Sequence, residues 1–416
     1  MPGRRVHRTW PQRLVLAFSG LVTVGAIVTA GIVWFANDRL GEVQRVEIVR
    51  STTEPPPADL SLGEDVSTTV SVPAVDLEAR NYLLVGSDSR DCIDPTSPYA
   101  GAFLGEGDLG ERSDTIMLLR VDPDSSQAAL LSFPRDLWVR IGDSDRKGRI
   151  NSAFSRDDPN ILVRTIERNF EVPVHHYVEV NFCAFKEIVD AIGGVKVPFE
   201  FPTRDENTGL NIPAPGCYRM DGDQALAYVR SRHYEADMGD GFEEDETSDR
   251  GRIARQQDFI RRTLQRAIDR GASRPDIANR LWNGVVDNVT IDDELKVGEL
   301  LALASQLRDF DPDTILSYRL DGRGTTIGGA SVIEPELDNA DTEAILAVFR
   351  GEARLVDAPD PNAVADVPDD PVATTATVPV GTLPAGVDAT ASPTVSTVAV
   401  DSNAVGIFPP DDPTCR

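Results

Sequence analysis

The feature that most constrains this chain is an uncharged run, LVLAFSGLVTVGAIVTAGIVWFAN, from Leu14 to Asn37, with Arg4, Arg5, Arg8 and Arg13 before it and Asp38 after it. As a helix it is about 36 Å long, against a hydrocarbon layer about 30 Å thick. That length predicts one transmembrane helix. A cleaved signal peptide also starts basic, but its apolar region is usually only about 7 to 15 residues long. The arginines before the run predict a cytoplasmic N-terminus (1–13), with everything after Asp38 outside the membrane.

A second segment resists folding for the opposite reason. From about Val356 the chain is rich in Pro, Asp, Ala, Thr and Val, and Arg416 is its only basic residue. Such a composition buries too little apolar surface to offset chain entropy, so 352–416 reads as a disordered acidic tail. Residues 38–80, with STTEPPPADL at their centre, read as a stalk. Residues 81–351 remain, about 270 residues, which suits one large domain.

Within that domain NYLLVGSDSR (81–90), SDTIMLLRVD (113–122) and QAALLSFPRDLWV (127–139) read as strands, the last two joined by the turn PDSS. VHHYVEV reads as another strand, with His175 and His176 structural. NILVRTIERNF, FCAFKEIVDAIGG, RGRIARQQDFIRRTLQRAI and ELKVGELLALASQLRDF carry helical periodicity, and Asp221 is a cap for DGDQALAYVR. Strands alternating with helices predict an α/β fold, a three-layer α/β/α domain with a central mixed sheet. The acidic stretch from Glu235 to Asp249 reads as a mobile, solvated loop.

The net charge of −27 excludes the broad basic footprint that nucleic-acid binding needs. Any anionic ligand must instead meet a focused cluster. Arg230 and Arg232 end an apolar run, and alternation on a strand would turn both to one face. Arg252, Arg255 and Gln256 stand at i, i+3 and i+4 near the start of a helix, where the unpaired N–H groups already favour an anion. With Arg135 of FPRD they make a group suited to several phosphate oxygens, since each guanidinium can donate two parallel hydrogen bonds. The competing reading pairs each arginine with one of the chain's many carboxylates. That reading weakens for the set as a whole, because several like charges would then be desolvated together without a ligand.

Asp88 and Asp114 follow separate strands, as carboxylates that hold Mg²⁺ beside phosphate oxygens do, although Asp114 would serve equally as a cap. The four cysteines show no zinc spacing. Outside the cytoplasm they can form disulfides, with three connectivities possible; Cys183 with Cys217 is preferred, because Cys415 lies on the tail. No P-loop, HExxH or GxSxG pattern occurs.

Taken in order, NYLLVGSDSR, RSDTIMLLRVD, LSFPRDLWV, GRINSAF, VNFCAFKEIVDAIGGVKV, ALAYVRSRH, DRGRIARQQDFIRR and GGASVIEPELDNADTEAILAVFRG resemble the LytR-CpsA-Psr family of membrane-anchored phosphotransferases, in its actinobacterial form. The resemblance implies transfer of a glycopolymer from a polyprenyl-pyrophosphate carrier to peptidoglycan or a related wall acceptor, with hydrolysis of the pyrophosphate as a side reaction. It implies that Asp88 and Asp114 bind Mg²⁺ (or Mn²⁺) and that Arg135, Arg230, Arg232, Arg252 and Gln256 hold the pyrophosphate. Arg90, Arg112 and Arg255 stand in matching stretches and are expected to help bind substrate. Two other classes stay open: a lipid-pyrophosphate sensor without turnover, and a transcription regulator, against which the membrane span and the lack of a basic helix-turn-helix argue.

Overall fold

A computed structural model describes residues 43–49, 79–88, 113–122, 127–270, 288–296, 310–361 and 412–416, together with residues 96, 97, 99, 125, 407, 409 and 410. The expected anchor (14–37), most of the stalk, Arg90, Arg112, Cys92, the ELKVGELLALASQLRDF helix and residues 362–406 of the tail lie outside them. Among the described residues no helix is long and apolar enough to cross a membrane.

In chain order the elements are β1 (Gln44–Val46), β2 (Arg80–Ser87), β3 (Ser113–Asp122), β4 (Gln127–Ser132), β5 (Trp138–Arg140), β6 (Lys147–Arg149), α1 (Asn160–Phe170) and β7 (His176–Asn181). Then follow α2 (Phe182–Ala191), β8 (Val195–Phe199), β9 (Thr203–Asp205), β10 (Leu210–Ile212), β11 (Gly216–Met220), α3 (Gly222–Arg230), β12 (Glu235–Asp237) and β13 (Phe242–Glu244). The last are α4 (Asp249–Arg270), β14 (Val289–Asp292), β15 (Leu316–Arg319), β16 (Gly322–Ile327), β17 (Ala330–Pro335) and α5 (Ala340–Arg350).

Seven strands form the central sheet in the order β1-β14-β7-β2-β3-β4-β15. It is mixed: β2 runs parallel to β7 and β4 to β15, while β2–β3 and β3–β4 are antiparallel. Alternation along the strands divides the core in two. Leu83, Val85, Ile116 and Leu118 point into a cluster with Leu162 and Ile166 of α1 and Leu346 and Phe349 of α5. Tyr82, Leu84 and Leu130 lie in another, with Ala184 of α2 and Ile260 and Leu264 of α4. Helices thus pack on both faces of the sheet, and every residue of β2, β3 and β4 is buried or half-buried. His176 is buried beside the carboxylate of Asp292, 3.2 Å away, so the two-histidine strand is structural as expected.

Three expectations change. The acidic stretch is not a free loop: β12 and β13 pair within it, and β12 joins β9, so backbone pairing and the packing of buried Ala236 order it despite its charge. Arg230 and Arg232 do not alternate on a strand. The capping box of Asp221 and Gln224 starts α3, which continues to Arg230 and stops at Ser231. The disulfide is Cys217–Cys415, not Cys183–Cys217. Cys217 lies on β11 directly opposite Pro198, and the C-terminal segment returns to that strand, so the end of the acidic tail is fastened to the domain. Cys183 is also disulfide-bonded, to a cysteine outside the described residues.

Candidate functional site

The β2–β3 pairing carries a bulge: Gly86 faces Thr115 but Ser87 faces Ser113, so Asp114 is the extra residue. A bulge re-aims one side chain at a strand end, and here that side chain is a carboxylate. Three arginines converge on it. Arg135, in the loop where Pro134 ends β4, places Nη1 3.0 Å from Asp114 Oδ1. Arg232, two residues past α3, places Nη2 2.9 Å from the same oxygen. Arg252, one turn into α4, reaches Oδ2 at 3.9 Å and donates from Nη2 to the Asp114 main-chain oxygen at 3.1 Å.

Asp249, the first residue of α4, faces the same three arginines. Its Oδ1 lies 2.7 Å from Arg252, 3.5 Å from Arg232 and 3.9 Å from Arg135. Asp136 adds a contact to Arg135 at 3.5 Å and one to Arg149 at 3.1 Å. Asp249 was not singled out by sequence as part of this group. Asp249 was hidden among the carboxylates of an acidic stretch, but it stands three residues before Arg252, a spacing that puts both on one face of a helix.

The electrostatics are those of crowded guanidinium groups. Burial pulls Arg252 down to about 10, with Arg232 and Arg135 adding to the effect against the pull of Asp249 and Asp114. Burial also works against the charge of Asp114, yet Arg232, Arg252 and Arg135 together hold it well below the usual carboxylate range. Arg252 Nε is buried and makes no hydrogen bond among the described residues, while Arg135 Nε and Arg232 Nε meet Asp136 and Asp249 only at 3.5 Å. Three guanidinium groups placed together in this way have donor capacity beyond what the two aspartates take up.

The other expected residues fall in different places. Arg230, the last residue of α3, lies over the ring of Phe182, 4.6 Å from its centre. Gln256 donates to Val229 O at 3.0 Å, tying α4 to the end of α3. Arg255 is fully buried and turned inward, to Ser231 O at 2.9 Å and Asp245 Oδ2 at 3.1 Å, so it supports the cluster from behind. Asp88 follows β2 and stands at the same end of the sheet as Asp114; Arg156 bridges it to Glu179, at 3.9 and 3.8 Å. Carboxylates are the oxygen donors that a hard divalent cation such as Mg²⁺ or Mn²⁺ takes, with phosphate oxygens or water completing the shell. Among the described residues no group of three or more His, Cys, Asp and Glu side chains forms a metal site by itself.

Residues 58–345 match the model of the LytR_cpsA_psr family. A Bacillus mycoides protein named polyisoprenyl-teichoic acid–peptidoglycan teichoic acid transferase TagU is 32% identical over 211 residues, which cover 48% of this chain and 63% of that protein. The chain thus spans less than two thirds of that relative. The protein of the same name from Oceanobacillus iheyensis is 28% identical over 332 residues, covering 78% of this chain and 88% of its own. Among solved structures, the LytR-Csp2A-Psr enzyme from Actinomyces oris superposes with a TM-score of 0.54 at 22% identity, over 75% of this chain and 97% of that one, a likeness of fold.

Proposed function

Because the chain belongs to the LytR_cpsA_psr family, we propose that it is an extracytoplasmic phosphotransferase, anchored by its N-terminal apolar run, that moves a glycopolymer from a polyprenyl-pyrophosphate carrier to peptidoglycan or a related wall acceptor. The observation that carries the reading is the convergence of Arg135, Arg232 and Arg252 on Asp114 and Asp249. Two adjacent phosphates bring several negatively charged oxygens. Three guanidinium groups presented from a loop, a helix end and a helix start can grip them from different directions.

The reaction forms one bond between an acceptor hydroxyl oxygen and the phosphorus bearing the glycan. It breaks the phosphoanhydride bond and the hydroxyl O–H bond: polyprenyl phosphate leaves, and the proton is released to solvent. Charge builds on the transferred phosphoryl group and on the leaving phosphate, so fixed cations lower the barrier chiefly by position. Arg232 and Arg135 are suited to the outer oxygens, being about a quarter exposed, and Arg252 lies behind them, 2% exposed. Mg²⁺ held by Asp88 and Asp114 would neutralise further phosphate charge.

The test is transfer by the full-length protein in detergent, from a polyprenyl-pyrophosphate-linked saccharide to peptidoglycan fragments, followed by mass spectrometry. The expected product is a phosphodiester-linked saccharide that disappears with Arg232→Ala. Binding of the donor without any product would favour a sensor instead, and release of saccharide phosphate alone would mean hydrolysis.

A further inference from the structure

Arg255 shares a helix face with Arg252 by spacing, yet its guanidinium is wholly enclosed. Nη2 donates to Ser231 O at 2.9 Å, Nη1 donates to Asp245 Oδ2 at 3.1 Å and to Ile407 O at 3.5 Å, and the group lies over Tyr234 at 4.3 Å from the ring centre. Ser231 is the residue between Arg230 and Arg232. Gly251 leaves the space for this arrangement: a Cβ there would meet Asp245 Oδ2 at 2.6 Å.

The same carboxylate oxygen of Asp245 accepts from Ile407 N at 3.3 Å, so the C-terminal segment joins the network with both its N–H and its carbonyl. Ile407 packs against the apolar cluster of Tyr228 and Phe259. Farther along, Arg262 of α4 donates to Pro410 O at 3.4 Å, Cys415 is bonded to Cys217, Lys196 donates to Arg416 O at 2.7 Å, and Arg416 pairs with Asp313 at 2.7 Å. This segment lies far along the chain from the site, and its polar contacts are few and long around Ile407. Holding it there by hydrogen bonds alone would set weak contacts against the entropy of closing a very long loop, which the disulfide removes.

We propose that the segment from Ile407 to Cys415 is a positioning element of the arginine cluster, acting through Asp245 and Arg255 on the Ser231 backbone and so on where Arg230 and Arg232 stand. The proposal rests on the cluster being the donor site. Its consequence is that the site is complete only when Cys217 and Cys415 are oxidised, which suits a domain outside the cytoplasm.

The experiment compares full-length wild type, Cys415→Ser, Ile407→Asp and Arg232→Ala, using farnesyl pyrophosphate as the probe. Affinity is measured below the lowest melting temperature, and amide hydrogen exchange is followed at residues 231–234, 245–255 and, as a control, 116–119 of β3. Both tail variants are expected to bind about tenfold more weakly, with faster exchange at 231–234 and 245–255 and unchanged exchange in β3. If Cys415→Ser does not fold, Ile407→Asp, which keeps the disulfide, decides the matter. Wild-type affinity and exchange in a folded tail variant overturn the proposal. Weak binding accompanied by loss of β3 protection also overturns it, since the tail would then support the whole fold rather than the site. If wild type and Arg232→Ala bind the probe equally poorly, the donor-site reading itself is what fails.

Discussion

Asp114→Asn keeps the shape of the side chain and removes the charge on which three arginines converge. The loss can be bounded from both sides. An exposed ion pair contributes about 0.2 to 1 kcal/mol, and removing one partner of a buried pair costs about 3 to 5. Asp114 is one-third exposed, and Asp249 remains to balance Arg252, so a value between these limits, about 2 kcal/mol, is expected. For a domain of this size that is about 4 to 8 °C in Tm. The sign with pH is fixed. Because the native carboxyl is held below its unfolded value of about 3.9, its contribution is complete above that pH and is lost as the pH falls toward the native value. Wild type and variant should therefore differ fully at pH 7 and converge in acid. An anion should show the opposite preference: in metal-free buffer, inorganic pyrophosphate should raise the Tm of the variant more than that of wild type, since it no longer competes with a carboxylate for the same guanidinium groups. Thermal unfolding at pH 7 and pH 3, with and without pyrophosphate, measures both effects. Equal melting at pH 7, together with no extra gain from pyrophosphate, would refute the idea that Asp114 holds the cluster's charge.

Three further outcomes are expected. Arg230→Ala should bind polyprenyl pyrophosphate about ten- to a hundredfold more weakly in a titration, and Arg230→Lys should recover only part of that loss, because lysine keeps the charge but loses the planar group that lies over Phe182; wild-type affinity in the alanine variant would return Arg230 to a packing role. Peptide mapping without reductant should recover Cys217 joined to Cys415 and, by elimination among four cysteines, Cys183 joined to Cys92; a Cys183–Cys217 peptide would contradict the structure. Protease added to wall-stripped cells should remove the domain while sparing the arginine-rich N-terminus, and a protected domain would reverse the proposed orientation.

How much of this was legible in the sequence depends on how local each cause is. The apolar runs of β2, β3 and β4 name themselves, because a strand buried on both faces has no polar alternation to hide it. The α4 helix was legible by its period, and so was the nearness of Arg252 to Gln256. Period fixes direction about the helix axis, at about 100° per residue, but not what covers that direction. Arg252 faces the sheet end and Arg255, three residues on, faces the loop of Ser231 and Asp245; the same spacing that groups them cannot say that one meets Asp114 and the other a backbone carbonyl. The cysteine pairing shows the limit most plainly. Preferring Cys183 for Cys217 assumed that a tail poor in apolar residues stays away from the domain, yet the entropy of closing a loop grows only with the logarithm of its length. A separation of 198 residues is therefore a weak veto, and one covalent bond with one partly buried isoleucine contact overcomes it. Composition describes what most of a tail does, whereas a single cysteine and a single Ile407 are enough to decide where it ends.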